Sequence, residues 1–242
     1  MANWCYNRIA IYNKSNTPEG ERQLQHLFLN LKRNISTTVG SDEENKRNWY
    51  GQLLLIHGMT EEEIAAQGPC RGGFQGLEWY DKVEGEYDRG YIQIDTETAW
   101  EPHVWVVTKM LEWYPALGFC YCAEEPGCGI YINTDTTDRY FTEVGKIDYS
   151  AEGFGLGEDE EYFGDRDSWT DAIKHHIEQI QFVIKSHPEL PRFEPKLCGG
   201  NPEKMAGQIN DYFNSLESCD TVPAEFSGCW YYAHEFSKEG DE

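Results

Sequence analysis

Positive charge is what this chain has least of. Its 20 lysines and arginines stand against 43 aspartates and glutamates, a formal net charge of −23 with histidines neutral. Such a surface repels nucleic acid and anionic membranes, both of which are bound through an excess of Lys and Arg. Long apolar runs are missing too: none approaches the roughly 20 residues that a helix needs to cross a bilayer. The start, Met1-Ala2-Asn3-Trp4-Cys5, has neither the basic region nor the apolar stretch of a secretory signal, so the expectation is a soluble, cytoplasmic protein. None of the G-x-x-x-x-G-K-[ST], G-x-S-x-G or H-E-x-x-H signatures occurs, and nothing else in the sequence states a reaction. The eight cysteines contain no C-x-x-C pair, and without an export signal they are expected as reduced thiols.

What is present is aromatic. Eight Trp, 15 Tyr and 11 Phe are enough to build a core, so the negative charge belongs to a folded body and not to a disordered acidic tail. Residues 1–120 carry 17 acidic and 11 basic side chains, and residues 121–242 carry 26 and 9, which places most of the field in the second half.

Periodicity and breakers lay out the elements. Trp4 to Tyr12 reads as a strand. Pro18 opens a helix with Leu24, Leu27, Phe28 and Leu31 on one face. Residues 36–50 read as polar loop, and Thr60 with Glu63 signals the capping box of a short helix. Leu77–Val83 and Tyr91–Asp95 form two strands around the acidic turn Glu84–Gly90. Glu101-Pro102 opens a second helix, and strands follow at Phe119–Ala123, Ile130–Asn133 and Arg139–Tyr149. The order β-α-(insert)-β-β-α-β predicts a ferredoxin-like split βαβ sandwich. Residues 150–167 read as an exposed, Gly-rich acidic loop. Ser168 caps a long helix striped by Trp169, Ile173, Ile177, Ile180 and Ile184. A last helix follows Asn201-Pro202, and Phe226 to Phe236 closes the chain as a strand. The expected fold class is therefore α+β. A ferredoxin-like domain spans 1–150, with an insertion near 36–73. An acidic loop and C-terminal helical extension, 151–242, contributes two helices and a terminal strand packed on that domain.

Several strings have an identifiable likeness. N-W-C-Y-N at 3–7, G-L-E-W-Y-D at 76–81, D-T-E-T-A-W-E-P at 95–102, Tyr114-Pro115 and Y-C-A-E-E-P-G at 121–127 together resemble the YubB-type family of plasmid and phage proteins. The likeness covers about residues 1–150. It implies a ferredoxin-like N-terminal domain and a mobile-element origin; that family is of unknown function, so no catalytic residues come with it. Within the strings, Trp4 and Trp100 are expected to anchor the sheet against its helices, Asn7 to tie a strand end to a neighbouring loop, and Pro102 to fix the first turn of the second helix.

The candidate interaction site is the acidic stretch. Glu158, Asp159, Glu160, Glu161, Asp165 and Asp167 supply charge, and Tyr162 and Phe163 supply aromatic anchors. As a calcium loop it fails, because position twelve counted from Asp159 is Thr170 and position five is Phe163. Cys120, Cys122 and Cys128 match no zinc template, and His175 and His176 lie on different helix faces. The Gly-rich string at 153–157 is followed at once by acids that repel phosphate. No metal, cofactor or catalytic residue is expected. The expected function is a non-enzymatic acidic inhibitor from a phage or plasmid. Its partner is a basic nucleic-acid channel in a host defence nuclease, such as a CRISPR effector or a restriction enzyme. The alternatives are a metal-dependent or small-molecule enzyme using clustered carboxylates with His175 and His176, and an acidic accessory or scaffold protein.

Overall fold

A computed structural model describes residues 3–82, 90–217, 219 and 222–238. Val83 and residues 84–89 of the expected acidic turn lie outside them. The chain divides into two compact units, Met1–Phe141 with Lys238–Glu242, and Thr142–Ser237. It is a mixed α+β protein with antiparallel sheets. Among the described residues no helix is long and apolar enough to cross a membrane.

In the first unit, β1 (Trp4–Asn13) is followed by α1 (Pro18–Asn34), then α2 (Asp42–Asn48), α3 (Gln52–Leu55) and α4 (Glu61–Gln67). After these come β2 (Gly72–Tyr80), β3 (Tyr91–Ala99), α5 (Trp105–Leu111), β4 (Leu117–Glu125) and β5 (Ile130–Asn133). The sheet order is β2-β3-β1-β4-β5, with every neighbouring pair antiparallel. Alternation along β1 decides which face is core: Cys5, Ile9 and Ile11 point inward with Ile92 and Ile94 of β3. Leu24, Leu27 and Leu31 of α1 and Val106, Val107 and Met110 of α5 join the same apolar cluster. The α1 start obeys its sequence signal, because the Thr17 side chain accepts from Gly20 N–H and Pro18 occupies the first turn. The Asn13 amide packs where a Cβ at position 20 would lie, and its Nδ2 donates to the Thr17 carbonyl at 2.8 Å.

Two expectations for this unit change. Residues 36–50 are not all loop: Ser41 and Glu44 form a reciprocal capping box that starts α2. That helix carries no apolar stripe, so periodicity could not show it. Nor does Pro102 open the second helix. Trp100 and His103 adopt left-handed φ values of 75° and 36°, and the resulting turn delays α5 to Trp105.

The second unit is built on β6 (Gly145–Ala151), β7 (Gly157–Phe163) and β8 (Trp230–Glu235), in the order β7-β6-β8. Its helices are α6 (Arg166–Ser186) and α7 (Pro202–Glu217). The predicted stripe residues Trp169, Ile173, Ile177 and Ile180 of α6 meet Met205, Ile209, Phe213 and Leu216 of α7 in a second core with Ile147, Tyr149 and Tyr231. Gly145 gives Trp169 its seat, because a Cβ there would strike the indole ring. β6, which overlaps the strand expected at Arg139–Tyr149 in the first domain, is the central strand of this sheet.

The expected exposed loop at 150–167 is corrected most. Residues 157–163 are an edge strand paired with β6 from Gly145↔Phe163 to Ala151↔Gly157. Backbone pairing needs no aliphatic side chains, so a run of carboxylates can still complete a sheet edge, where charge also blocks unwanted pairing. Ser168 is not the cap of α6. Asp165 is, accepting the Ser168 N–H at 2.7 Å, and the helix begins at Arg166. Dividing the chain at its structural boundary also redistributes charge. Residues 142–237 hold 19 acidic and 7 basic side chains, a net of −12, and the remainder holds 24 and 13, a net of −11. The two units carry nearly equal charge, so the field is not confined to the second.

Candidate functional site

At one end of the first sheet the strand phase turns aromatics outward. Asn7 sets that phase. It is buried, and its Nδ2 donates to the Cys5 carbonyl at 3.0 Å and to Thr98 Oγ1 at 2.9 Å. Thr98 Oγ1 in turn donates to the Glu101 carbonyl at 2.6 Å, so Asn7 joins β1 to β3 and, through Thr98, to the loop after it. With Cys5 and Asn7 inside, Trp4 and Tyr6 must face out. Trp4 is 39% exposed, Tyr6 50% and Trp100 50%. The expectation that Trp4 and Trp100 are core anchors is therefore overturned. The alternation of β1 ejects the first, and the left-handed turn lifts the second.

Carboxylates flank these rings. Tyr6 pairs across with Glu97 on β3 and with Glu124 on β4, and directly opposed residues share a face. Trp4 pairs with Ala99, and the Trp100 N–H donates to the Asn3 carbonyl at 3.0 Å, which holds Trp100 at the same sheet end. The Arg71 guanidinium lies 5.5 Å from the centre of the Trp4 ring. Beside it runs a groove of ≈ 610 Å³ whose lining includes Trp4, Trp49, Arg71, Gln75 and Glu97. Trp49 is fixed by its indole N–H, which donates to the Cys70 carbonyl at 2.7 Å.

The acidic residues singled out from the sequence divide into two groups. Glu161 is half-buried, accepts the Tyr149 hydroxyl at 2.9 Å and stands 3.6 Å from His176 Nε2. Glu160 pairs with Lys146 at 3.2 Å, and Lys146 also holds Asp148 at 3.1 Å. Asp165 is the α6 cap; the Ser168 N–H holds its carboxyl below the usual range. Phe163 packs against the second core. Glu158, Asp159 and Asp167 remain exposed, as does Tyr162, whose ring sits over Lys146 at 5.1 Å. Glu160 and Asp165 are exposed as well, but each is engaged by a structural partner, and only Glu161 is drawn partly inside.

His176 is tied into the same structure. Its Nδ1 faces the Tyr231 hydroxyl at 2.8 Å. Burial pushes its pKa down, opposed by Glu161 and helped by His175. A neutral imidazole accepting from Tyr231 and presenting Nε2–H to Glu161 satisfies every partner. His175 faces Gln179 at 3.1 Å on the surface. The eight cysteines are free thiols: Cys120 and Cys122 are buried and Cys128 is exposed. Burial pushes the Cys120 thiol up, which disfavours the thiolate that a metal needs. Among the described residues no group of three His, Cys, Asp or Glu side chains could hold a metal ion.

One cluster has no local motif to announce it. His57 Nδ1–H donates to the Leu53 carbonyl at 2.7 Å, leaving Nε2 to accept from the Tyr114 hydroxyl at 3.0 Å. His26 Nδ1 approaches the same hydroxyl at 3.4 Å, and Trp113 stacks on His57. Burial lowers the His57 pKa and raises that of Tyr114. A cavity of ≈ 480 Å³ is lined by His26, His57, Tyr114, Trp113, Arg22, Gln23 and Glu19. These residues come from three segments far apart in sequence, and only their spacing in the fold joins them. Comparison with protein-family models, curated proteins and solved structures finds no match to this chain.

Proposed function

We propose that this protein is a non-enzymatic acidic inhibitor that seats in the basic channel of a nucleic-acid-handling protein. The observation that carries this reading is the exposure of Trp4, Tyr6 and Trp100 among carboxylates at one end of the first sheet. Exposed Trp and Tyr are the side chains that most often dominate interface energy once water is excluded. The surrounding charge steers a cationic partner and fixes its orientation. Glu158 and Tyr162 on one face of β7, Asp159 on the other and Asp167 at the start of α6 add further exposed side chains of the same kind. The reading places the aromatic anchors mainly in the first unit, where the sequence alone pointed to residues 158–167.

The target class, a host defence nuclease such as a CRISPR effector or restriction enzyme, is proposed from the acidic, aromatic-bearing surface and the absent catalytic motifs together with the mobile-element origin that the resemblance to YubB-type plasmid and phage proteins implies. The order β2-β3-β1-β4 with antiparallel neighbours supports reading the first unit as ferredoxin-like, with β5 added at one edge. Free thiols fit a reducing cytoplasm. The test is co-purification from a phage- or plasmid-bearing host at low and high salt, followed by a nuclease assay. The reading requires a stoichiometric basic nuclease that is lost at high salt and whose cleavage falls when this protein is added. Retention of no nuclease, or of one that cleaves normally, contradicts it.

A second reading, a small-molecule enzyme, is favoured by one observation: the Leu53–His57–Tyr114 chain of hydrogen bonds opening on the 480 Å³ cavity. An oriented base beside a hydroxyl is the arrangement that activates a nucleophile. Titrating a metabolite library while following the His26 and His57 ring signals tests it. Saturable shifts at both rings support an enzyme, and unmoved signals remove it.

A further inference from the structure

Trp4 offers an exposed ring face, yet that face already has an occupant. Arg71 comes from the residue just before β2, and its carbonyl is held by the Ala99 N–H at 2.9 Å, so its backbone is anchored to the end of β3. From there its guanidinium reaches over the Trp4 ring at 5.5 Å. Both side chains are exposed, and both line the groove that continues past Glu97, Gln75 and Trp49. Trp is the best ring for a cation–π contact and Arg the cation more often found over one, since its planar, weakly hydrated head stacks where an ammonium does not. The contact is therefore a specimen, within the molecule, of what this surface binds.

We infer that Trp4 is an arginine-recognition face, and that Arg71 holds it in the free protein until an arginine of a partner protein replaces it. The inference rests on the basic-partner reading above and adds the identity of the recognised side chain and the residue that competes with it. Charge favours the exchange: Glu97 lines the groove, and Glu124 lies beyond Tyr6, opposite it on β4. On leaving, Arg71 gives up its ring contact and regains only hydration, so it competes with the incoming guanidinium for Trp4. The incoming guanidinium gains Trp4 together with the neighbouring carboxylate.

The experiment uses the full chain and two peptides of equal charge, nona-arginine and nona-lysine, in a calorimetric titration at low salt. Four variants are compared: Arg71→Gln, Trp4→Leu, the two combined, and Arg22→Gln. The last makes the same charge change on α1, where Arg22 pairs with Glu19. Folding of each is checked by thermal melting, and Leu keeps apolar bulk at position 4 while removing the ring. The expected result is that nona-arginine binds more tightly than nona-lysine. Arg71→Gln should raise nona-arginine affinity about threefold to tenfold, the range of a cation–π contact. Arg22→Gln should raise it less, and Trp4→Leu should erase the Arg71→Gln gain. An equal gain from both arginine variants, or a gain that survives Trp4→Leu, overturns the inference and leaves a simple electrostatic attraction. Absence of binding by either peptide to any variant overturns both the inference and the basic-partner reading.

Discussion

The Tyr149 hydroxyl donates to Glu161 Oε1 at 2.9 Å, joining the central strand of the second sheet to its acidic edge. His176, from α6, stands 3.6 Å from the same oxygen, and Tyr231 completes the network at 2.8 Å from His176. A carboxylate that looked like surface charge is thus the acceptor on which three elements converge. Glu161→Ala leaves a buried hydroxyl and an imidazole N–H without their acceptor, at a cost of about 1–3 kcal/mol. Glu158→Ala, on the other face of β7, should change stability by less than about 0.5 kcal/mol. Urea midpoints of the two variants measure the difference. Equal midpoints would show that Glu161 is surface charge like its neighbours.

The α6 start gives a second contrast. Asp165 accepts both the Ser168 N–H and the Ser168 hydroxyl at 2.7 Å. Asp165→Ala should cost about 1 kcal/mol as a lost N-cap, whereas Ser168→Ala keeps the capped N–H and should cost less. Thermal denaturation of both variants orders the two. A larger loss from Ser168→Ala would move the cap to the residue that the sequence first suggests.

Acid should destabilise the second unit through the half-buried His234 and the buried His176. Burial, then the Lys146 charge, push His234 down to about 4. Asp148 lies 3.6 Å from His234, but Lys146 takes its charge at 3.1 Å. A histidine whose folded pKa lies below its unfolded value binds its proton more readily when unfolded. The contribution is therefore intact above the ordinary value of 6.5 and is lost as pH falls from there towards about 4. His176, lowered in the same sense by burial, adds to the slope. His234→Gln should flatten the loss of stability between those pH values in denaturant titrations. An unchanged pH slope would mean that the ring stays solvated.

Much of the architecture was legible in the sequence, and what was hidden has physical causes. The strand–helix order, the Pro18 start, the Thr60–Glu63 capping box and the isoleucine stripe of α6 were readable because each is a local rule with a fixed spacing. β7 was hidden because its stabilisation comes from the β6 backbone and leaves no apolar alternation in its own residues. The outward turn of Trp4 depends on Asn7, a polar residue that takes an inward position by bonding Thr98 across the sheet. Such a contact lies 91 residues away in sequence, beyond any window. The large apolar indole of Trp100 reads as a core anchor, but a left-handed φ of 75° decides where it points. The His57–Tyr114–His26 cluster had no signal, since its members meet only after α1, α3 and α5 assemble.

Binding of a captured basic partner to the Tyr6→Ala/Trp100→Ala double variant, set beside the Glu158→Lys/Asp159→Lys double variant, tests the central claim most directly. Both pairs are exposed, so both variants should melt with the unmodified protein. Exposed aromatic anchors as the seat of binding predict a loss of affinity of about thirtyfold or more for the first variant at any salt. They also predict a smaller loss, one that fades as salt rises, for the second. Full affinity after removal of Tyr6 and Trp100, with binding abolished by the charge reversals alone, would contradict the account.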